Sequence, residues 1–98
     1  MATKKKKKAV KLDLAEFFQD EDAQAELLSD AFASGDSSYM SHALGIVAKA
    51  KGMTKVAKAV GVSRVALYKS LDKGGDPKLS TFVGTLKALG YKLKAEAA

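Results

Sequence analysis

The 98-residue chain contains no cysteine, no tryptophan, one proline and one histidine. Without cysteine there is no disulfide, no thiolate metal site and no Cys nucleophile, which suits a reducing compartment and makes the cytoplasm the expected location. With His42 alone, a zinc site would have to take its remaining ligands from carboxylates, an uncommon arrangement. His42 stands beside Ser41 in a helical stretch, where a lone histidine is more often a surface or packing residue than a general base. Asp20, Glu21 and Asp22 are adjacent, so on a helix they diverge and do not form an acid/base or metal pair. Neither "GDSSYM" nor "GGDPKLST" matches a phosphate-cradling loop. No catalysis, metal or cofactor is expected. Long apolar runs are missing too: nothing approaches the roughly 20 residues that span a bilayer. Behind the first lysines, Lys11, Asp13 and Glu16 interrupt any signal-peptide core. A soluble chain with no membrane partner is the expectation.

What the chain does hold is a 47% hydrophobic composition, enough at this length for one compact domain with tails. Its net charge of +6 is unevenly placed. Lys4 to Lys8 carry five positive charges, residues 9–48 hold one lysine against eight carboxylates, and residues 49–98 hold eleven Lys and Arg against three. An acidic first half and a basic second half within one domain imply two faces with different partners, the basic one suited to a phosphate backbone.

The apolar spacing is helical almost throughout. Residues 1–10 form a basic low-complexity tail, expected to be disordered. Asp13 is a candidate cap for a short helix with Leu14, Phe17 and Phe18 on one side. Asp20, Glu21 and Asp22 open a longer helix, where negative charge is favoured by the amino-terminal dipole; its stripe is Ala23, Leu27, Leu28, Ala31 and Phe32, and Gly35 ends it. After the loop and cap "GDSS", Tyr39, Met40, Ala43, Leu44, Val47 and Ala50 predict a helix from Tyr39 to Lys51 that stops at Gly52. Gly74, Gly75 and Pro77 mark a loop, and Ser80 is the expected cap of a final helix with Leu79, Phe82, Val83, Leu86 and Leu89 inward and Gly90 at its close. The alternating "YKLKAE" reads as an optional edge strand able to pair with a second copy.

The stretch "GMTKVAKAVGVSRVALYKS", Gly52 to Ser70, carries the functional reading. Thr54 is the expected cap of a two-turn helix, Gly61 allows a sharp turn, and Ser63 caps a second helix to about Leu71. Val56, Ala57, Val60, Val62 and Leu67 then face inward, the packing of a helix-turn-helix. Ser63, Arg64, Val65, Tyr68 and Lys69 remain on the outer face. Arginine can bond guanine bidentately, Val65 can touch a thymine methyl, and Tyr68 and Lys69 can reach phosphate or base edges. No acidic residue occurs from Lys49 through Leu71, while Lys49, Lys51, Lys55, Lys58, Arg64, Lys69 and Lys73 are positive. A polyanion partner offsets that self-repulsion. The competing reading is a plain helical hairpin with solubilising lysines.

The segment "GVSRVALYKSLDKGGDPKLSTFVGTLKALG" resembles the DNA-binding region of the addiction-module antidote proteins, prophage-type antitoxins with a Cro/C1-type (XRE-like) helix-turn-helix. In that family a "GVSR..LYK.L" segment precedes a "G.P...T....LKALG" helix, and the resemblance extends upstream through "LAEFFQDEDAQAELLSDAFASGD" to cover about residues 12–94. It implies a repressor that binds its own operator and neutralises a small basic toxin. Carried onto this sequence, Thr54 and Ser63 would contact phosphates, and Arg64, Val65, Tyr68 and Lys69 would face the groove; Lys55 and Lys73 complete the expected DNA-binding set. The chain departs from phage repressors at Met53, where glutamine is often found, and at Ser70, where they bury an aliphatic residue. The Lys4–Lys8 run lies outside the family pattern.

The expected architecture is therefore all-α, five to six helices in one domain over residues 11–94, with a helix-turn-helix at 54–71 and a C-terminal tail at 95–98. The expected partners are operator DNA as a duplex, a small basic toxin, and a second copy in a homodimer, since one helix-turn-helix buries too little surface for tight specific binding. A stand-alone prophage regulator and an interaction module that no longer reads sequence are the alternatives.

Overall fold

The protein is described by a computed structural model covering residues 18–72 and 74–98. Among these residues the architecture is all-α, with five helices and no strand: α1 Glu21–Ser34, α2 Ser37–Lys51, α3 Met53–Val60, α4 Arg64–Leu71 and α5 Leu79–Ala88. The short helix expected around Leu14 and Phe17, its cap Asp13, the basic tail and Lys73 lie outside the described residues.

Local chemistry sets most of the helix ends. The Asp20 carboxylate accepts from the Ala23 amide at 3.2 Å and caps α1, whose first turn carries Glu21 and Asp22. The Asp36 carboxylate accepts from the Ser38 amide at 3.0 Å, starting α2 two residues before the expected Tyr39. Between α2 and α3 there is no linker: Gly52, at φ 114°, is at once the last cap of one and the first cap of the other. Thr54 is therefore not the cap of α3. It stands one residue inside the first turn, because Gly52 turns the chain directly into a new helix at Met53. Ser80 likewise does not cap α5. That helix begins at Leu79 behind Lys78, with no side-chain cap bond.

Helix α2 is the centre of the packing. Backbone contacts join it to every other helix, α3 also packs on α4 and α5, and the backbone of α1 contacts that of α2 alone. Ala43, Leu44, Val47 and Ala48 of α2 are fully buried against Leu28 and Ala31 of α1, Met53, Val56 and Ala57 of α3, Leu67 and Leu71 of α4, and Leu86 and Leu89 near the C-terminus. The rings of Phe32 and Phe82 meet at 5.8 Å, joining α1 to α5. Thr85 is fully buried and its hydroxyl donates to the Thr81 carbonyl at 2.7 Å, so no polar atom is stranded there. The Tyr39 hydroxyl donates to Asp30 at 2.6 Å, linking α2 to α1 and raising the phenol's pKa from its ordinary value of 10.0.

One expectation about α5 is corrected here. Leu79 does not join the inward stripe of α5 but is 74% exposed. As the first residue of the helix its side chain tilts back over the amino-terminal end, beyond the core that begins at Phe82. The segment after Gly90 forms no strand within the chain, and Leu93 on it is 48% exposed.

Two mid-helix glycines behave differently. A Cβ on Gly45 would sit 2.8 Å from the Leu71 carbonyl oxygen, whereas one on Gly84 would meet only the Val60 methyl groups, at 3.6 Å. Gly84→Ala should raise stability by up to about 1 kcal/mol through helix propensity. Gly45→Ala should lower it by about 1–3 kcal/mol by forcing α4 off α2. Urea denaturation of the two variants checks the opposite signs.

Candidate nucleic-acid interface

Gly61 occupies the left-handed region at φ 87°, a conformation that a side chain rarely adopts, and its amide and that of Val62 both donate to the Ala57 carbonyl at 2.9 and 3.1 Å. The chain thus reverses within three residues. Ser63 closes the turn: extended at ψ 155°, it accepts from the Ala66 amide at 3.0 Å through its hydroxyl and starts α4. Ser63 is therefore a cap, as its position in the sequence predicts, which leaves its hydroxyl engaged in the fold.

Burial then fixes the rotation of α4. Leu67 and Leu71 are 0% and 2% exposed, packed under α2 and α3. Ser70, half-buried, returns its hydroxyl to the Ala66 carbonyl at 2.9 Å, and Leu71 supplies the apolar contact that Ser70 does not. With Leu67 and Leu71 inward, the helical period sends Val65, Ala66 and Lys69 outward, and Arg64, the first residue of the helix, is exposed at its amino-terminal end. Tyr68 is half-buried at the edge of this face, its ring against the core. The Arg64 guanidinium lies over that ring, 5.5 Å from its centroid, a cation–π contact that holds the charge at the surface.

Most of the expected site residues fall together. Ser63, Arg64, Val65, Tyr68 and Lys69 share the turn and outer face of α4, and Thr54 and Lys55 are exposed on the first turn of α3. Lys73 lies outside the described residues. Sequence reasoning passes over Ala66, which the helical period sets on the same outer face beside Val65 and Lys69. It also passes over the ion pair of Lys51 with Glu21 at 3.5 Å, which joins residues 30 positions apart and takes Lys51 out of the free basic set. Among the described residues no group of three His, Cys, Asp or Glu is placed to hold a metal, and no helix is long and apolar enough to cross a membrane.

A family profile described as "Probable addiction module antidote protein" matches residues 8–97. The chain belongs to this family. It is also similar to an uncharacterized protein of Haemophilus influenzae, 30% identical over 84 residues that cover 86% of this chain and 87% of the relative. No solved structure matches it. In this antidote-family chain the match includes both the acidic helix α1 and the exposed face of α4, so neither is an appendage to the family's common core.

Removing the α4 cap should be felt locally. Ser63→Ala should cost about 1 kcal/mol of unfolding free energy, with hydrogen exchange of the Ala66 amide accelerated before that of α1. Equal acceleration in α1 and α4 would mean that the cap acts on the whole fold.

Proposed function

We propose that the chain is a sequence-specific DNA-binding repressor that serves as the antitoxin of a type II toxin–antitoxin module, a binding protein rather than an enzyme. Helices α3 and α4 form the helix-turn-helix, and α4 enters the major groove. The observation that carries this reading is the outer face of α4: Arg64, Val65, Ala66 and Lys69 stand exposed on a helix that packs on only two others, in a stretch free of carboxylates from Lys49 to Leu71. Arginine and lysine beside small apolar groups are the side chains that base edges accept. Thr54 and Lys55, exposed at the start of α3, are positioned to contact phosphate.

Toxin neutralisation is supported by family membership and by α1. Among the described residues Asp22, Glu26 and Asp30 are exposed on α1 without a cation, and that helix has no backbone contact with α4. A basic partner would be drawn to α1 by charge and leave α4 free for DNA. A homodimer is supported by Leu79 and Leu93, large apolar side chains left exposed on the last helix and on the segment behind it.

Selection of the purified chain against a random duplex library at about 150 mM salt tests the reading, because at that ionic strength phosphate contacts alone give weak, unselective binding. An inverted repeat with half-sites about 34 Å apart is the expected product. On that site Arg64→Ala should cost about 1–3 kcal/mol and relax the preference at one position per half-site. Loss that is equal on every sequence would refute Arg64 as a base reader, and failure to enrich any sequence would leave an interaction module.

A further inference from the structure

We propose that Val65 recognises the 5-methyl group of a thymine beside the base pair that Arg64 reads, so that each half-site contains one thymine whose methyl, and not its pairing, is what the protein selects. The inference rests on the DNA-reading assignment above and names the base chemistry of that site.

Val65 is 68% exposed on a helix whose other large aliphatic side chains, Leu67 and Leu71, are buried. It occupies the first turn of α4, two residues after the Ser63 cap, where a helix entering the major groove brings its side chains to base edges. Among the residues of α4 it is the one exposed large aliphatic side chain, flanked by the exposed Arg64, Ala66 and Lys69. A valine offers no donor or acceptor. The thymine C5 methyl is the group of the major-groove edge that matches it.

Three features favour this contact. Valine in a helix keeps one strongly preferred rotamer, so its two methyl groups are held in place and little freedom is lost when they meet a ligand. Ala66, exposed beside it, adds only a methyl group and leaves room for the helix to approach the base edge. The Arg64 guanidinium is held over the Tyr68 ring, and Val65 beside it remains 68% exposed.

The test uses the full chain and duplexes recovered from the random-library selection, with each thymine replaced in turn by deoxyuridine, which keeps the base pair and removes the methyl. For the unaltered chain one thymine per half-site should lose about three- to tenfold in affinity on replacement, the worth of one buried methyl group. Val65→Ala, exposed and so neutral to folding, should bind the thymine duplex more weakly by a similar factor and be indifferent to the uracil replacement. Selected duplexes that bind the unaltered chain equally with thymine and uracil would overturn the inference and leave the DNA reading standing. Uracil sensitivity that persists in Val65→Ala would assign the methyl contact to another residue. Failure to select any sequence would overturn both.

Discussion

Helices α2 and α4 approach so closely that only glycine fits between them: at Gly45 the backbone of α4 lies where a side chain would otherwise be. Leu67 and Leu71 are buried by that approach, and a helix with two buried positions has no remaining freedom to rotate. The identity of the outward face follows from this packing, because Val65, Ala66 and Lys69 lie on the far side of the helix from the Leu67–Leu71 stripe and have nothing to lie against. The face that results holds Val65, Ala66 and Lys69, with the exposed Arg64 at its amino-terminal end. The same constraint acts from below, since a Cβ on Gly75 in the following loop would meet the carbonyl oxygens of Lys69 and Ser70.

The second consequence of placing α2 at the centre is electrical. The acidic helix α1 makes its backbone contacts with α2 alone, and α4 with α2 and α3, so the two charged surfaces do not share a backbone contact. Where the halves do touch, Lys51 and Glu21 pair across the seam. That pair is exposed enough to contribute little stability, and its significance lies in where it sits: it neutralises one charge of each sign at the boundary and leaves the excess of each farther out. A protein that must approach a polyanion with one surface and a basic protein with another benefits from this separation, because each partner is attracted to one surface and repelled by the other.

Much of this was legible in the sequence, and the pattern of success is physical. Asp20, Gly35, Gly52 and Ser63 mark helix ends by local hydrogen bonding and backbone conformation, which depend on a few neighbouring residues and so can be read along the chain. Thr54 and Ser80 misled because a capping hydroxyl contributes only about 1 kcal/mol, less than the burial of Met53 and Val56 or of Phe82 and Leu86 that decides where α3 and α5 begin. Leu79 misled because an apolar residue at helical spacing still needs a neighbour at the helix end. The close approach at Gly45, the Lys51–Glu21 pair and the stacking of Arg64 on Tyr68 needed the third dimension. Ala66 was within reach of the sequence, since the helical period that exposes Lys69 exposes it too, but alanine carries no chemical signal.

The central claim is that α4 presents its outer face to DNA while α1 stays free. The most direct measurement is a map of amide and methyl chemical shifts of the full chain on addition of a duplex that it binds. Large shifts confined to the Ser63–Lys69 segment and the first turn of α3, with Glu21–Ser34 unchanged, are the expected result. Shifts centred on α1, or spread evenly over the surface, would contradict it.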